Sequence, residues 1–261
     1  MTITRQGTFG VVALLAIASA GHSAVRQAAP VPDKVVVLTF DDSAKSHAAF
    51  VAPLLKKLGF GGTFFITEGF DFPTNKLGYM TWEEVAGLHE LGFEIGNHTA
   101  KHANAAEQTR EALRADLELI ERRCAQHGLP RPVSFAYPGN GMGGVVIEVL
   151  KEKGYRFARR GGAPEFPYEG GRGVAFDPRS HERLSIPSAG DARPAWQLED
   201  FVRAVSQAKD GKIAVLQFHG VPDREHPWVS TEPEQFEQYL GYLKENGYTV
   251  VALRDVAKYL E

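Results

Sequence analysis

VVVLTFDD, at residues 35–42, runs an uninterrupted apolar segment directly into two adjacent carboxylates, Asp41 and Asp42. Val and Leu runs of this length are typical of a strand that is buried on both faces, as in a parallel sheet covered by helices. In such folds the C-terminal ends of the strands form the ligand-binding edge. The segment therefore predicts a central parallel strand and places both carboxylates at a candidate site.

Strand and helix patterns alternate along the rest of the chain. Further strands are predicted at 63–67, 93–97, 133–137, 155–158, 184–186, 213–219 and 248–252. Helices are predicted at 51–58, 81–91, 106–127, 145–153, 194–208, from 231 to about 243, and at 254–260. Residues 43–50 are expected to be a loop or a broken turn, and 160–183 an irregular insert. Strands that alternate with helices form parallel sheets with crossover helices. We predict an α/β fold, a distorted (β/α) barrel of about seven β/α units, with an open doubly wound sheet as the alternative.

The N-terminus has the pattern of a secretory signal. Arg5 precedes an apolar run at 9–20 that ends in an A-x-A cleavage pattern, and the run is shorter than a membrane span. An uncleaved anchor is the alternative. We expect a secreted protein, periplasmic or extracellular, with no transmembrane span in the mature chain. Its expected divisions are a signal peptide at 1–20, a linker at 21–33 and one folded domain at 34–261.

Charge and cysteine content limit the classes of partner and the covalent cross-links that the chain can have. Without residues 1–20 the chain keeps 28 basic and 32 acidic residues. No Lys/Arg cluster stands out, so we expect no nucleic-acid partner. We also expect the chain to be a monomer. Cys124 is the only cysteine, so no intrachain disulfide can form. Leu113, Leu117 and Ile120 share its helical face, which indicates a buried core thiol.

Three polar clusters follow predicted strands: Asp41-Asp42, HTAKH at 98–102, and His219. In a barrel the C-terminal strand ends share one face, so these clusters can meet. His98 and His102 are four residues apart, which puts two imidazoles on one side of a helical turn. Together with Asp42 they form a ligand set with open coordination positions, as in catalytic metal sites. A divalent ion there would lower the pKa of a bound water to about 7 and polarise a carbonyl.

The two adjacent carboxylates have different expected tasks. Ligation would keep Asp42 ionised, whereas Asp41 would stay free to take a proton from the attacking water. The alternative is that the pair only caps the following segment. His219 is a candidate general acid for a leaving amine, or else a core histidine bonded to backbone. The other histidines are interpreted as surface or local-structure residues: His22, His47, His89, His127, His181 and His226.

Four segments, in this order, resemble the motifs of the NodB-homology polysaccharide deacetylases: TFDD at 39–42, HTAKH at 98–102, FAYP at 135–138 and LQFH at 216–219. The resemblance spans about residues 34–252. It implies a metal-dependent carbohydrate esterase with a distorted (β/α) barrel that hydrolyses an N-acetyl group on an amino sugar. It also implies that Asp41 is the catalytic base, that His219 is the general acid, and that zinc or a similar divalent ion is bound by Asp42, His98 and His102.

The sequence departs from the family pattern at its third and fourth motifs. Ala136 stands where the family has an Arg that orients the base, and Gly139 stands in place of an aromatic residue. A backbone donor for the oxyanion survives the second change. The family's Asp/Trp motif is not found before the last cluster. We hypothesise that Arg160, or else Arg159, replaces the missing Arg beside Asp41.

The substrate that the resemblance implies is an N-acetylated glycan, such as chitin, peptidoglycan or poly-N-acetylglucosamine. Residues expected to contact it are Tyr137, Pro138, Gly139, Phe218 and Trp228. Hydrolysis of O-acetyl esters or small amides on the same barrel is one alternative. A non-catalytic glycan-binding barrel is another, because a fold alone does not imply activity. The intact carboxylate and histidine clusters argue against it.

Overall fold

The structure is a computed structural model that describes residues 1–2, 30–161 and 173–260. Its strands are β1 (Val35–Phe40), β2 (Thr63–Ile66), β3 (Glu94–Asn97), β4 (Ser134–Ala136), β5 (Phe157–Arg159), β6 (Gly190–Asp191), β7 (Ala214–Phe218) and β8 (Thr249–Val251). Its α-helices are α1 (Ala52–Leu58), α2 (Trp82–Glu90), α3 (Arg110–Gln126), α4 (Gly144–Glu152), α5 (Leu198–Val205) and α6 (Pro233–Glu245). Short helical turns lie at His47–Val51, Ala105–Glu107, Pro138–Asn140, Pro227–Val229 and Leu253–Tyr259.

β1 is the central strand of a parallel sheet with the order β5-β4-β3-β2-β1-β7-β6. It pairs with β7 along Val36–Phe40. On its other side β8 pairs with the first half of β1, and β2 pairs only with Thr39 and Phe40. Three partners bury β1 completely, which agrees with its continuous apolar sequence.

The segment between β5 and β7 links the two ends of this sheet. Ile186 N–H donates to the carbonyl of Ala158 in β5 at 2.8 Å, and Ala189 N–H donates to Val215 of β7 at 2.7 Å. The predicted distorted (β/α) barrel is therefore confirmed. The predicted strand at 184–186 is reduced to one bridge at Ile186, and the short strand β6 follows it instead.

Alternating residues of the strands face two different cores. Val35 and Val37 of β1 pack inside the barrel with Phe157 and Val215. The intervening residues Val36, Leu38 and Phe40 pack outward against the helices. This period of two determines which polar residues beyond the strand ends face the barrel axis.

Among the helical boundaries that differ from the prediction, two have an identifiable local reason. Residues 47–50, expected to belong to a loop or a broken turn, form with Val51 a helical turn that continues into α1, and His47 and Val51 are buried one turn apart. The helix expected at 194–208 begins only at Leu198, because Gln197 and Asp200 form a capping box there.

The predicted signal peptide lies almost wholly outside the described residues, as does most of the predicted linker. Within the described ranges, no helix combines the length and apolar character that crossing a membrane requires.

Candidate active site

A cavity of about 260 Å³ lies at the C-terminal ends of the barrel strands. Asp41 continues the inward-facing row of β1, two residues beyond Thr39. Asp42 has a φ of 70°, a left-handed conformation that the short Asp side chain tolerates. Both carboxylates consequently border the cavity.

Asp42, His98 and His102 form one cluster at this cavity, with ligand atoms that all lie within 4.8 Å of one another. Asp42 Oδ1 is 3.3 Å from His98 Nε2 and 3.1 Å from His102 Nε2. The sequence predicted that the two histidines share a helical turn, but the structure has no helix at this point. A loop with left-handed residues at Thr99 and His102 brings them together instead.

This cluster fits a divalent cation. The distances from the Asp42 oxygen to the two imidazole nitrogens match the edge of about 3.3 Å expected for a tetrahedron with bonds of about 2.0 Å. His98 Nδ1 lies 2.9 Å from the Ala136 carbonyl and donates to it, which leaves the Nε2 lone pair directed at the cluster. Burial opposes ionisation of Asp42, but the adjacent imidazoles of His102 and His98 outweigh it and hold the pKa of this carboxyl well below its usual range.

Arg159, and not Arg160, lies beside Asp41. Arg159 Nη2 donates to Asp41 Oδ2 at 2.5 Å, and both side chains are almost fully buried. Arg159 follows Phe157 on the inner face of β5, so Arg160 faces away and its Nε contacts Ser185. The preference for Arg160 was therefore wrong, and its named alternative occupies the position. The other oxygen of Asp41, Oδ1, accepts no hydrogen bond from the described residues.

His219 also borders the cavity. Its Nε2 lies 3.9 Å from Asp42 Oδ2, and its Nδ1 lies 4.0 Å from Asp191 Oδ1. Asp191 is fully buried on β6 and accepts hydrogen bonds from Arg193 on its other oxygen. Burial raises the pKa of Asp191, against the nearby charges of His219 and Arg193. Asp191 thus presents a carboxylate oxygen to the far side of the His219 ring.

The residues predicted to contact substrate divide into two groups. Tyr137, Gly139 and Trp228 line the cavity, and Trp228 is 65% exposed. Phe218 does not, because it lies on the outer face of β7 and is buried against α6. Pro138 is buried between Tyr137 and Gly139 and is not among the lining residues.

Sequence reasoning missed several residues that shape this cavity. Phe70 lies with its ring centroid 4.5 Å from both His102 and His226. His226, interpreted as a local-structure residue, lines the cavity, and its hydrogen bond to Asp223 raises its pKa against burial. Neither Phe70 nor His226 directly follows a strand, so no strand-end signal could have identified them. Asp191 belongs to a strand of only two residues, which is too short to predict.

A match to the family model described as polysaccharide deacetylase covers residues 28–158, half of the chain. The chain therefore belongs to the polysaccharide deacetylase family. The matched segment includes the Asp41-Asp42 pair and the loop at residues 98–102, called the histidine loop below.

Known relatives share parts of the sequence or the fold. The chain is 30% identical over 128 residues to a peptidoglycan-N-acetylglucosamine deacetylase from Bacillus cereus, which is 49% of this chain and 56% of that protein. A putative polysaccharide deacetylase from Mycobacterium smegmatis superimposes with a TM-score of 0.62 at 17% identity, covering 90% of this chain and 94% of its own. A CE4 family pseudoenzyme from Bacillus anthracis superimposes with a TM-score of 0.57 at 16% identity, covering 90% and 68%. At these identities the structural likenesses describe the fold alone.

Proposed function

We propose that this protein is a secreted, metal-dependent hydrolase that removes N-acetyl groups from an amino-sugar polysaccharide, with peptidoglycan as the favoured substrate class. The observation that carries the proposal is the arrangement of three groups around one cavity. The Asp42, His98 and His102 cluster borders the same cavity as Asp41, which has an unpaired carboxylate oxygen, and the imidazole of His219. The relative from Bacillus cereus supports the choice of peptidoglycan.

The three cluster residues Asp42, His98 and His102 would hold the divalent ion, for which zinc is the expected identity. A divalent ion bound there would lower the pKa of a coordinated water and polarise the acyl carbonyl. Asp41 takes up the proton of the attacking water on Oδ1, while Arg159 holds Oδ2 and so orients the carboxylate. His219 delivers a proton to the leaving nitrogen, and the carboxyl group of Asp191 lies 4.0 Å from the other ring nitrogen, Nδ1.

Trp228 and Phe70 supply the contacts expected for a sugar ring. Both side chains line the cavity, and both are unusually exposed for aromatic residues, at 65% and 46%. Exposed aromatic faces at the rim of a polar cavity favour a ligand with apolar C–H faces and polar edges.

The experiment is acetate release from peptidoglycan fragments, chitooligosaccharides and acetylxylan, before and after chelation. We expect release from an N-acetylated glycan, its loss with a chelator, and its return with added zinc. Calorimetric titration should give one zinc per chain for the wild type and none for His102→Ala. Asp41→Asn should keep zinc binding and lose about 100-fold or more in kcat/KM.

Asp255→Asn is the matched control, since Asp255 is an exposed carboxylate on the C-terminal turn. It should behave as the wild type in both measurements. Zinc binding without acetate release from any of the three substrates would contradict the hydrolase and favour a glycan-binding barrel. Release from acetylxylan alone would favour the ester hydrolase.

A further inference from the structure

Gln217 lies at the floor of the active-site cavity and has no part in the chemistry described above. It occupies the inner face of β7, between Val215 and His219 in the inward-facing row. Its neighbours across the sheet are Thr39 on β1 and Asp191 on β6. The carboxamide is therefore one inward-facing position below the imidazole assigned as the general acid.

The carboxamide of Gln217 is fixed by packing and not by hydrogen bonds to its oxygen. The residue is only 4% exposed, and its Oε1 accepts no hydrogen bond from the described residues. A Cβ added at Gly161 would lie 2.4 Å from this oxygen, so bare glycine backbone packs directly against it. Buried polar atoms nearly always have a partner. Gln217 itself lines the catalytic cavity, so a bound ligand is the candidate partner for this unpaired oxygen.

We propose that the Gln217 carboxamide pairs with the acetamide of the substrate and makes this cavity selective for N-acetyl over O-acetyl groups. The inference rests on the deacetylase function proposed above. A carboxamide carries both a donor and an acceptor, and so does the secondary amide of an N-acetylated sugar. An acetate ester offers a carbonyl acceptor but no N–H.

The selectivity follows from the state of the Gln217 oxygen with each substrate. With an N-acetyl group the substrate N–H donates to this oxygen. With an ester the oxygen stays buried and unpaired throughout the reaction. A site built to bond an N–H discriminates strongly against the analogue that lacks it.

The test compares two small substrates, N-acetylated chitotetraose and O-acetylated xylotetraose, in the zinc-loaded enzyme. Gln217→Met keeps the length of the side chain without its amide. It should lower kcat/KM for the N-acetyl substrate about 10- to 100-fold and change the value for the ester less than about 3-fold. Gln217→Glu keeps an acceptor oxygen and should recover part of the N-acetyl activity. Gln126→Met, on the exposed face of α3, is the matched control and should change neither value.

Zinc affinity, measured by calorimetry, should be the same for Gln217→Met and the wild type, because Gln217 is not in the cation cluster. Equal losses with both substrates, or no loss with either, would overturn the assignment of Gln217 and leave the deacetylase function standing. A wild-type enzyme that hydrolyses neither substrate would overturn both. If Gln217→Met does not fold, Gln217→Leu serves for the same comparison.

Discussion

Arg159 and Arg160 are neighbours in sequence but face opposite sides of β5. The inner position belongs to Arg159 because it lies two residues after Phe157, whose ring is inside the barrel. Arg160 turns outward to Ser185. The missing guanidinium of the third motif is therefore supplied by the next strand of the sheet, which pairs Arg159 with Ala136. The sequence predicted that one arginine of this pair replaces the Arg absent at position 136. It did not predict which one, because the strand was expected to end at Ala158.

Replacing Arg159 should impair both catalysis and folding. Arg159→Met leaves the Asp41 carboxylate buried without its partner, which typically costs about 3–5 kcal/mol. We expect a fall in kcat/KM of about 100-fold or more, together with a lower midpoint in urea unfolding. Arg159→Lys restores the charge without the planar guanidinium, so its activity should be intermediate.

Arg160→Met is the matched control for this measurement. It removes an equal charge from the adjacent position, and its kcat/KM should stay within about 3-fold of the wild type. An equal loss in both variants would mean that orientation of Asp41 does not depend on the contact between Arg159 and Asp41.

The histidine loop, which follows β3, is positioned by contacts with a second loop. Gly69, in the segment that follows β2, packs against the histidine loop so closely that a Cβ there would lie 2.7 Å from His102 Cβ. The same Cβ would lie 3.0 Å from the Lys101 backbone. The next residue, Phe70, places its ring on the imidazole of His102. The position of His102 therefore depends on two loops and not on a helical turn.

Gly69→Ala should displace His102 and weaken cation binding with little loss of the fold. We expect zinc affinity to fall about 10-fold or more, because a misplaced ligand cannot complete the coordination geometry. The measurement is calorimetric titration with zinc, with circular dichroism to verify folding.

Gly87→Ala is the control for that change. Gly87 lies in α2, and nothing lies within 4 Å of a Cβ added there. This variant should bind zinc as the wild type does and be slightly more stable, because alanine favours helix more than glycine. Unchanged zinc affinity in Gly69→Ala would show that the two loops are not coupled.

The two ends of the barrel differ in what their polar groups do. At the end opposite the cavity, Glu94 accepts hydrogen bonds from Ser134, Thr63 and the backbone of Arg254. Burial raises the pKa of Glu94 despite these contacts. They tie β2, β3, β4 and the C-terminal turn together. At the cavity end the buried carboxylates keep oxygens unpaired, as expected where residues serve chemistry and not stability.

His47 links the stability of the whole molecule to pH. It is fully buried beneath the cavity, where its Nε2 donates to the His219 carbonyl at 3.1 Å. Burial lowers the pKa of His47 from 6.5 to about 4, against the effect of this hydrogen bond. Below pH 6.5 the unfolded chain therefore binds a proton that the folded protein does not accept until about pH 4.

The free energy of unfolding should fall as the pH decreases from about 6.5 to about 4, by up to about 3 kcal/mol from His47 alone. This contribution is fully present above pH 6.5. His47→Gln keeps an N–H donor but does not titrate, so its unfolding free energy should depend less on pH in this window. Urea unfolding at pH 7, 5.5 and 4.5 measures the difference.

His89→Gln, on α2, is the control and should keep the pH dependence of the wild type. A His47→Gln protein whose stability falls as steeply as that of the wild type would assign the acid sensitivity to other groups.

The sequence alone determined the barrel and most of its cavity end. Apolar runs and the helical patterns between them predicted the parallel strands, because the local spacing of apolar residues indicates whether a segment is a buried strand or an amphipathic helix. The adjacent Asp41-Asp42 pair and the histidine loop were identified for the same reason, since each directly follows a predicted strand. The buried thiol of Cys124 was also correctly predicted, and burial raises its pKa to about 12.

Only the tertiary structure decided which side chains meet at the cavity. The choice of Arg159 over Arg160 and the outward position of Phe218 depend on strand register, where a shift of one residue reverses the facing of every side chain. Asp191, Phe70 and His226 come from segments without regular patterns, and only packing brings them to the site. VVVLTFDD identified the strand and its two carboxylates. The partner of Asp41 is set by a contact between residues 118 positions apart in the chain.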